Sequence, residues 1–533
     1  MCLTIRFGDT SKHKKQEASN LPYGTKSKTK TFILTLPLVT DMYDEAVLHN
    51  NFKRYSQAYN WLLRKTIKMW HQVRKTRAYK KLLLDIAATP KDSNNRKALY
   101  VKRTELLTQY GFSSVLFEKM IKPFAKYYHL HSAIAQKIAA RVWSAWEKFF
   151  YKNGKAVHYK RFDDFGSFAA KSNATGIIFV NDTTPYIKFC GRRIPVSVRK
   201  GNTGRYQQEA LKHQVKYCAI KRNIVHGRWR YFVQLALADE PPVKCDRYGV
   251  IKHSFKNGKI GLDIGTQTLA ISGEDICDLR VLAPSAIAEL RNGLVKTIAR
   301  IQRAMDRSRR ATNPQYFNAN GTIKRLKRTN GRKPIRKWRY SNRYLRLRHK
   351  LRDLYQKLAT IRKTEHSVLA NELLAHGNIF YVEDMNYKAL QKRCKDTKIN
   401  AKTDRIHSKK RFGKSLGRCA PAAFLATLEQ KAKRYNGQVV RVSTFATKAS
   451  QFDHTDESYT KKKLSERFAK LSDGTVVQRD LYSAFLLAHL NKNLVTYDKQ
   501  SIKKDFPQFL TLHEQTKKRL QSSHDWLPAS VGF

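Results

Sequence analysis

Hydrophobic and polar positions divide the first half of the chain into two regions of different texture. From about Glu45 to Phe150, apolar residues recur every three to four positions, as at Leu62, Leu63, Ile67 and Trp70. This period predicts amphipathic helices. The run Thr31–Pro37 before them alternates as a strand does. From about Gly176 the pattern changes to short runs broken by turns, which predict strands at 177–180, 186–189, 193–196, 217–220 and 231–237. A small β-barrel would close so many short strands.

After Pro241-Pro242, which marks a boundary, the second half alternates strands with helices. Residues 259–273 predict a strand, a tight turn at Gly265 and a returning strand. A long helical region is predicted from about Ser285 to Ala375. The remaining predicted elements are a strand at 378–383, a helix at 421–435, a strand at 438–442 and a helix at 481–491 that begins directly behind Asp480.

Charge changes the interpretation of these helices. The 533 residues include 105 Lys+Arg and 41 Asp+Glu, a formal net charge of +64. Because 41% of the residues are hydrophobic, the chain can form real cores, and the excess charge must lie on surfaces that a polyanion would neutralise. The composition therefore predicts a nucleic-acid-binding protein. A basic protein of the ribosomal type is an alternative, although such proteins are usually far shorter.

Cysteine spacing and hydropathy indicate the cellular compartment to expect for this protein. The seven cysteines are scattered, and no two have a CxxC spacing, which argues against disulfides and a cysteine-rich zinc site. No run of 18 apolar residues and no apolar signal core are present, so neither a membrane span nor secretion is expected. We expect a cytoplasmic protein, in a prokaryotic cytosol or nucleoid.

One segment concentrates positive charge. Arg303 to Arg352 contains 18 Lys/Arg and a single acid, Asp306, with Trp338, Tyr340 and Tyr344 among them. A solvated helix face normally mixes both signs, so this segment is predicted to contact phosphates. The residues predicted to bind nucleic acid are Arg303, Arg309, Arg310, Lys324, Arg325, Lys327, Arg328, Arg336, Lys337, Arg339 and Arg343.

Three carboxylates stand at comparable places in the second half. Asp263 lies in an apolar strand beside a glycine turn, Glu383 ends an apolar strand, and Asp480 begins a helix. An acid among strand residues is costly to bury unless a cation or hydrogen bonds compensate it. Hard divalent cations such as Mg²⁺ bind carboxylates, and two such ions can promote phosphodiester cleavage. In that scheme Asp263 would bridge both ions, and Glu383 and Asp480 would complete one ion each.

These segments resemble the transposon-associated TnpB proteins and the compact type V CRISPR effectors, and an intermediate between the two is plausible. Gly261-Leu-Asp263-Ile-Gly-Thr-Gln-Thr-Leu-Ala270 is similar to RuvC motif I, and Tyr381-Val-Glu383-Asp-Met-Asn386 to motif II. Gln478-Arg-Asp480-Leu-Tyr-Ser-Ala-Phe-Leu486 is similar to motif III, although Tyr482 replaces the family's usual Asn. The resemblance covers roughly residues 31 to 492.

The resemblance implies an α+β multidomain fold. Residues 1–44 and 170–258 would form a wedge β-barrel, into which a helical recognition domain at 45–169 is inserted. Residues 259–283, 360–444 and 479–495 would form an RNase H-like RuvC α/β domain. Its inserts would be long basic helices at 284–359 and a degenerate zinc-ribbon-like, target-nucleic-acid-binding segment at 445–478. Residues 496–533 form a C-terminal extension beyond the family's usual end, and their lysines suggest a solvated helix or an RNA contact.

The resemblance also implies the activity and the partners. It predicts an RNA-guided DNA endonuclease that pairs a guide RNA, from a CRISPR array or a transposon, with double-stranded target DNA beside a short motif read by protein. Asp263, Glu383 and Asp480 would be catalytic and would bind two Mg²⁺ ions, for which Mn²⁺ can substitute. Arg479 is a candidate for active-site support. Whether the protein is a monomer or a dimer is undecided.

The resemblance fails at the zinc ribbon. Asp453 and Asp456 occupy the places where the family usually has its first Cys pair, and Leu464–Arg467 and Asp473-Gly474 follow without a cysteine. We therefore expect no zinc in this segment. A cation bound by Asp453, His454 and Asp456 remains an alternative with weaker support.

Two other functions fit parts of the sequence. A guided repressor that binds DNA with weak or no cleavage would keep the basic helices, but such a protein would be expected to lose at least one of the three acids. An actin-like phosphotransferase would explain Asp263-Ile-Gly-Thr after a strand, but that fold needs further glycine-rich phosphate loops and would not explain the net charge of +64.

Overall fold

The computed structural model of the chain describes residues 30–90, 93–151, 154, 156–225, 227–325, 336–394, 396, 397, 399, 406, 412–461, 466–522, 528, 531 and 532. The backbone separates into two units. The first contains the chain up to Ile224 together with Arg228–Arg247, and the second contains Val225–Gly227 together with the chain from Tyr248 onward. Lys327 and Arg328 of the predicted basic surface lie outside the described residues, as do all lysines and arginines from 395 to 411.

The first unit places one strand before a group of helices and the others after it. The predicted strand at Thr31–Pro37 is confirmed, and helices occupy the region from Met42 to Tyr151 as predicted. The elements are β1 (Thr31–Pro37), α1 (Met42–Val73), α2 (Arg77–Ala88), α3 (Asn94–Gln109), α4 (Ser114–Tyr127), α5 (Ser132–Tyr151), β2 (Ser167–Ala169), β3 (Ile178–Val180), β4 (Tyr186–Phe189), β5 (Arg192–Pro195), α6 (Gly201–Leu211), β6 (Val215–Val225) and β7 (Arg228–Ala238).

Two sheets and the helices of this unit share one core. One sheet has the order β1-β7-β6-β2 and the other β3-β4-β5. The Val39 amide donates to the Pro195 carbonyl (2.9 Å) and the Ser197 amide to the Pro37 carbonyl (2.9 Å), which joins the end of β1 to the end of β5. Trp146 of α5 is buried, and its indole N–H donates to Thr66 Oγ1 of α1 at 2.9 Å.

The second unit contains the strands and helices predicted around the three acids. They are β8 (Lys259–Ile264), β9 (Thr268–Gly273), β10 (Cys277–Val281), α7 (Pro284–Glu289), α8 (Val295–Thr312), α9 (Asn342–His376), β11 (Ile379–Glu383), α10 (Tyr387–Leu390), α11 (Gly413–Cys419), α12 (Pro421–Ala432), β12 (Gln438–Val442), α13 (Thr444–Thr447), β13 (Phe468–Lys470), β14 (Val476–Gln478), α14 (Arg479–Ala488) and α15 (Lys499–Ser522).

A mixed five-stranded sheet organises this unit, with the order β10-β9-β8-β11-β12. Strands β8, β9 and β10 form an antiparallel meander, whereas β11 runs parallel to both β8 and β12. Apolar side chains cover both faces of the sheet. One face packs against α9 and α12 and the other against α14, because the central strands are almost continuously hydrophobic.

The predicted long helical region from about Ser285 to Ala375 is helical at both ends and interrupted in its middle. Helix α8 ends at Thr312, and the described residues from Asn313 to Ser341 lie outside α-helices. Asn313 explains the break, because its buried side chain stabilises a turn. The Asn313 Nδ2 donates to the carbonyls of Arg309 (2.9 Å) and Arg339 (2.8 Å), and its Oδ1 accepts from the Arg339 amide (2.8 Å).

The C-terminal segment is more than a solvated helix. Helix α15 packs against β10 and α14 and buries Ile502, Phe509 and Leu520 in the core of the second unit. Arg519 forms a short ion pair with Asp278, a β10 residue. The lysines of this helix suggested that it is surrounded by solvent, but its apolar face is buried against the rest of the second unit. The helix is therefore part of the structure that supports the sheet, and the alternative of an RNA contact stays a prediction.

Candidate active site

Two of the predicted acids lie at the same level on neighbouring parallel strands. Strands β8 and β11 pair Gly261 with Tyr381 and Leu262 with Val382. Asp263 and Glu383 are the next residues along each strand, near the carboxyl ends. Because side chains alternate between the faces of a sheet, both acids are on the face to which Gly261 belongs. The register therefore puts two carboxylates next to each other at one edge of the sheet.

Helix α14 brings the third acid to the same face. A Cβ atom on Gly261 would meet the Ala484 carbonyl oxygen at 1.8 Å and the Ala488 nitrogen at 2.7 Å, so the helix crosses the strand in backbone contact. Asp480 lies one helical turn before Ala484 on α14. Asp263 lies two residues beyond Gly261 on β8, and its side chain is therefore on the same face of the strand. The close approach at Gly261 therefore places Asp480 beside Asp263.

The electrostatics of the three acids show that they interact. Burial raises the pKa of Asp263 well above its usual range, and the Asp480 and Glu383 carboxylates raise it further, while Arg479 lowers it. Burial also raises the pKa of Glu383, to about 6. Both shifts mean that the protein's own side chains do not fully offset the cost of burying these carboxylates in their ionised form. A bound cation would offset that cost.

The donor set fits a hard divalent ion in its chemistry. Within the described part of the chain, however, no group of three or more His, Cys, Asp or Glu side chains is arranged so that it could hold a metal ion. The three carboxylates interact electrostatically without forming a complete metal cage. Mg²⁺ usually takes one or two carboxylates together with water and substrate phosphate oxygens. An open arrangement of carboxylates is compatible with an ion that binds with the substrate.

Removing the charge of Glu383 is expected to stabilise the metal-free protein at high pH. Its folded-state pKa lies above the ordinary value of 4.5. The stability that protonation contributes is therefore present below pH 4.5 and lost as the pH rises through about 6. In EDTA, Glu383→Gln should raise the melting temperature at pH 8 by on the order of a few degrees, whereas the gain should vanish at pH 4. A gain of equal size at both pH values would contradict a buried, uncompensated carboxylate.

Arg479 contacts the acid that follows it. Its Nε and Nη2 lie 3.3 and 3.2 Å from Asp480 Oδ1, and its Nη1 donates to the Glu466 carbonyl at 3.0 Å. Both side chains are largely buried. The guanidinium therefore fixes the Asp480 carboxylate and also lowers the pKa of Asp263. This contact is consistent with the supporting role that the sequence predicted for Arg479.

Tyr387, at the start of α10, is a residue that sequence reasoning missed. Burial raises the pKa of its hydroxyl, and the Asp263 carboxylate raises it further, so the two side chains are close. The hydroxyl oxygen is buried and has no hydrogen-bond partner among the described residues. A polar group in that state beside a carboxylate is available to a ligand. The only feature of the sequence that pointed to Tyr387 was its position four residues after Glu383.

The predicted ribbon-like segment is held by hydrogen bonds. Asp453 Oδ1 accepts from the Thr455 amide and hydroxyl (3.0 and 2.7 Å), and its Oδ2 accepts from the Ser472 amide (2.9 Å). Asp456 Oδ2 accepts from the Ser472 hydroxyl (2.5 Å). Burial alone would raise the pKa of Asp453, but these hydrogen bonds outweigh it and lower the pKa. Both acids thus have donors, and the absence of zinc stays a prediction.

Tyr482 connects this segment to α14. Its hydroxyl accepts from the His454 amide (3.1 Å) and lies 2.7 Å from His454 Nδ1. The tyrosine is buried on the side of the helix that packs against α15. Tyr482 therefore contributes to packing between α14 and the ribbon-like segment.

The residues predicted to bind nucleic acid fall into two groups. Arg309 and Arg310 form ion pairs with Asp306 (2.6 and 2.9 Å), and the Arg309 guanidinium lies 5.3 Å from the centre of the Trp338 ring. Arg336 donates a short hydrogen bond to the Lys324 carbonyl. These three arginines are half-buried and have protein partners. The exposed members are Arg303, Lys324, Arg325, Lys337, Arg339 and Arg343.

Comparisons with known proteins give weak similarities. No family model and no curated protein match the chain. The chain is similar to a protein in the cryo-EM structure of the Cas12f1-sgRNA-target DNA complex, with 11% identity and a TM-score of 0.44 over 87% of this chain and 99% of that chain. It is also similar to one in the cryo-EM structure of a CRISPR-Cas12f ternary complex, with 12% identity and a TM-score of 0.23 over 85% and 83% of the two chains. With TM-scores below 0.5, neither comparison decides the fold or the function of this chain.

Among the described helices, none is long and apolar enough to cross a bilayer.

Proposed function

We propose that this chain is an RNA-guided DNA endonuclease with an RNase H-like, RuvC-type active site formed by Asp263, Glu383 and Asp480. The observation that carries the proposal is the meeting of these acids on one face of a mixed sheet. Two of them lie at the ends of adjacent parallel strands, and the third begins the helix that crosses Gly261. Their mutual effect on the pKa of Asp263 supports the same arrangement.

The reaction would be the hydrolysis of a DNA phosphodiester. Asp263, Glu383 and Asp480 would hold the divalent ions, which when bound activate a water molecule and stabilise the leaving oxygen. Arg479 would keep the Asp480 carboxylate oriented through its hydrogen bonds to Oδ1. The Tyr387 hydroxyl would donate to a substrate or water oxygen beside Asp263. Mg²⁺ is the expected ion, because the donors are all hard oxygens.

Charge supports a nucleic-acid partner, and the resemblance to RNA-guided nucleases suggests a guide RNA and a DNA target. A net charge of +64 requires a polyanion, and the exposed cations of the basic segment between α8 and α9 offer one of its binding surfaces. The proposed partners are a guide RNA and a double-stranded DNA target, with sequence read by base pairing. Sequencing the RNA that co-purifies with the protein, and then supplying DNA that matches it, tests this part of the proposal. A guided repressor would bind this DNA without cutting it.

Removing exposed cations from the basic segment is expected to reduce the salt dependence of RNA binding. In the triple variant Lys337→Ala, Arg339→Ala, Arg343→Ala, the slope of log affinity against log salt should fall by roughly 0.7–0.9 for each phosphate that the protein no longer neutralises. A salt titration of the co-purifying RNA measures the slope. The matched control removes three lysines that already pair with acids, Lys212, Lys433 and Lys499. Equal slopes for the wild type and the first variant would show that the segment does not touch RNA.

A further inference from the structure

An exposed phenylalanine follows the strand that pairs with the strand ending in Glu383. Phe445 is 88% exposed, more than any other large hydrophobic side chain in the described residues. It belongs to α13, the turn that follows β12. The end of β12 is next to the active site, because Val442 pairs with Glu383 and the Asp384 amide donates to the Val442 carbonyl at 2.8 Å. Phe445 is three residues beyond Val442.

The turn that carries Phe445 is firmly held. Thr447 is fully buried, and its carbonyl accepts a hydrogen bond from the Tyr497 hydroxyl at 2.8 Å. Its own hydroxyl donates to the Ser443 carbonyl at 3.1 Å. The exposure of Phe445 is thus a consequence of a fixed backbone. An exposed aromatic ring on an anchored turn contributes little to the core, and its face is accessible to a ligand.

Charge around this turn favours an anionic ligand with flat, apolar groups. Arg441 of β12 and Lys448 directly after α13 flank Phe445 in the chain, and both are exposed. Arg441 lies 3.7 Å from Asp384, a long ion pair that leaves part of its charge available. Exposed cations on either side of an exposed aromatic ring suit single-stranded nucleic acid, since the cations attract phosphates and the ring stacks on a base.

We propose that Phe445 stacks on a nucleobase of the DNA strand that enters the carboxylate site. The stack would position the phosphodiester next to Asp263 and Glu383 while Arg441 and Lys448 bind flanking phosphates. Phe445 is thus a positioning residue that acts through the substrate. This inference rests on the proposed nuclease function, because the ligand is defined as the strand that is cut.

The first test measures cleavage of a short, end-labelled single-stranded DNA by the protein as purified, with Mg²⁺. Phe445→Ala should raise KM by about 5- to 150-fold, the loss expected for one stacked base, with kcat changed much less. Phe445→Tyr should restore the wild-type KM, and Phe445→Leu, which keeps apolar volume but no ring, should not. The melting temperature should be the same in all four proteins, because the side chain is exposed.

Oligonucleotides with single abasic sites locate the stacked base. At one position relative to the cut, the abasic site should raise KM for the wild type and add nothing further in Phe445→Ala, as coupling between two partners requires. Wild-type KM in Phe445→Ala, or an equal effect of the substitution at every abasic position, would overturn the stacking role.

A second readout does not depend on cleavage. A DNA oligonucleotide containing 5-iodouracil, irradiated with Asp263→Ala protein, should form a crosslink that mass spectrometry assigns to Phe445. If the wild type cuts no DNA but this crosslink forms, the proposed nuclease function fails and base stacking at Phe445 stands. If the wild type cuts DNA and Phe445 is never crosslinked, the stacking inference fails alone.

Discussion

Replacing Asp263 with asparagine is expected to lower the rate of DNA cleavage by at least about 10³-fold and to leave RNA affinity unchanged. Asp263 interacts with both other acids, and the loss of its charge removes the group that the proposed ions share. Losing several kcal/mol of transition-state stabilisation corresponds to a factor of this size, since each 1.36 kcal/mol is about tenfold. The variant keeps the shape of the side chain, so the sheet and the basic surface should persist.

The measurement is single-turnover cleavage of target DNA together with a binding titration of the RNA. Glu429→Gln is the matched control, because it also removes one negative charge but lies on α12 and pairs with Lys433. It should cut at the wild-type rate. If Asp263→Asn cuts as fast as the control, the chemistry does not occur at this site.

Replacing Gly261 with alanine is expected to destabilise the second unit and to reduce cleavage. The new methyl group would meet the Ala484 carbonyl oxygen at 1.8 Å, so α14 must move away from β8. Because both contacted atoms, the Ala484 oxygen and the Ala488 nitrogen, belong to the backbone, no side chain can rotate to make room. Overpacking of this kind typically costs about 1–3 kcal/mol or more, and the displaced helix would carry Asp480 away from Asp263.

Thermal unfolding and cleavage rate report the two effects. Each kcal/mol of destabilisation should lower the melting temperature by about 2 °C for a unit of this size. The matched control is Gly417→Ala in α11, where a Cβ would meet no atom within 4 Å. There the substitution should be neutral or stabilising. A Gly261→Ala protein with the wild-type melting temperature and rate would contradict the close crossing of α14 over β8.

The sequence predicted the strands around the three acids because the signals are local. The apolar run around Asp263 and the turn at Gly265 specify a strand pair, and the run that ends at Glu383 specifies a buried strand. The hydrophobic residues behind Asp480 specify a helix. What local pattern could not give is the register that sets Asp263 beside Glu383, because pairing depends on the packing of the whole sheet.

The errors have physical causes at particular residues. Basic side chains are good helix formers, so 285–375 was predicted as one helical region, but a single buried residue, Asn313, stabilises a turn there. Arg309 pairs with Asp306 three residues before it, but its contact with the distant Trp338 ring and the bond from Arg336 to a backbone carbonyl are not visible in a charge pattern. Tyr387 and Phe445 carry no periodic signal, since one is defined by an unpartnered hydroxyl and the other by exposure.

Carboxylates and divalent ions together are proposed to cut DNA, and removing and restoring the metal tests this proposal. The wild-type protein, with its co-purifying RNA, is incubated with matching double-stranded DNA after exhaustive treatment with EDTA, and Mg²⁺ is then added back in steps. We predict no cleavage in EDTA and a rate that rises with Mg²⁺ to a plateau, with RNA bound throughout. Cleavage that persists in EDTA, or bound DNA that stays uncut at every concentration of Mg²⁺ and Mn²⁺, would contradict the claim.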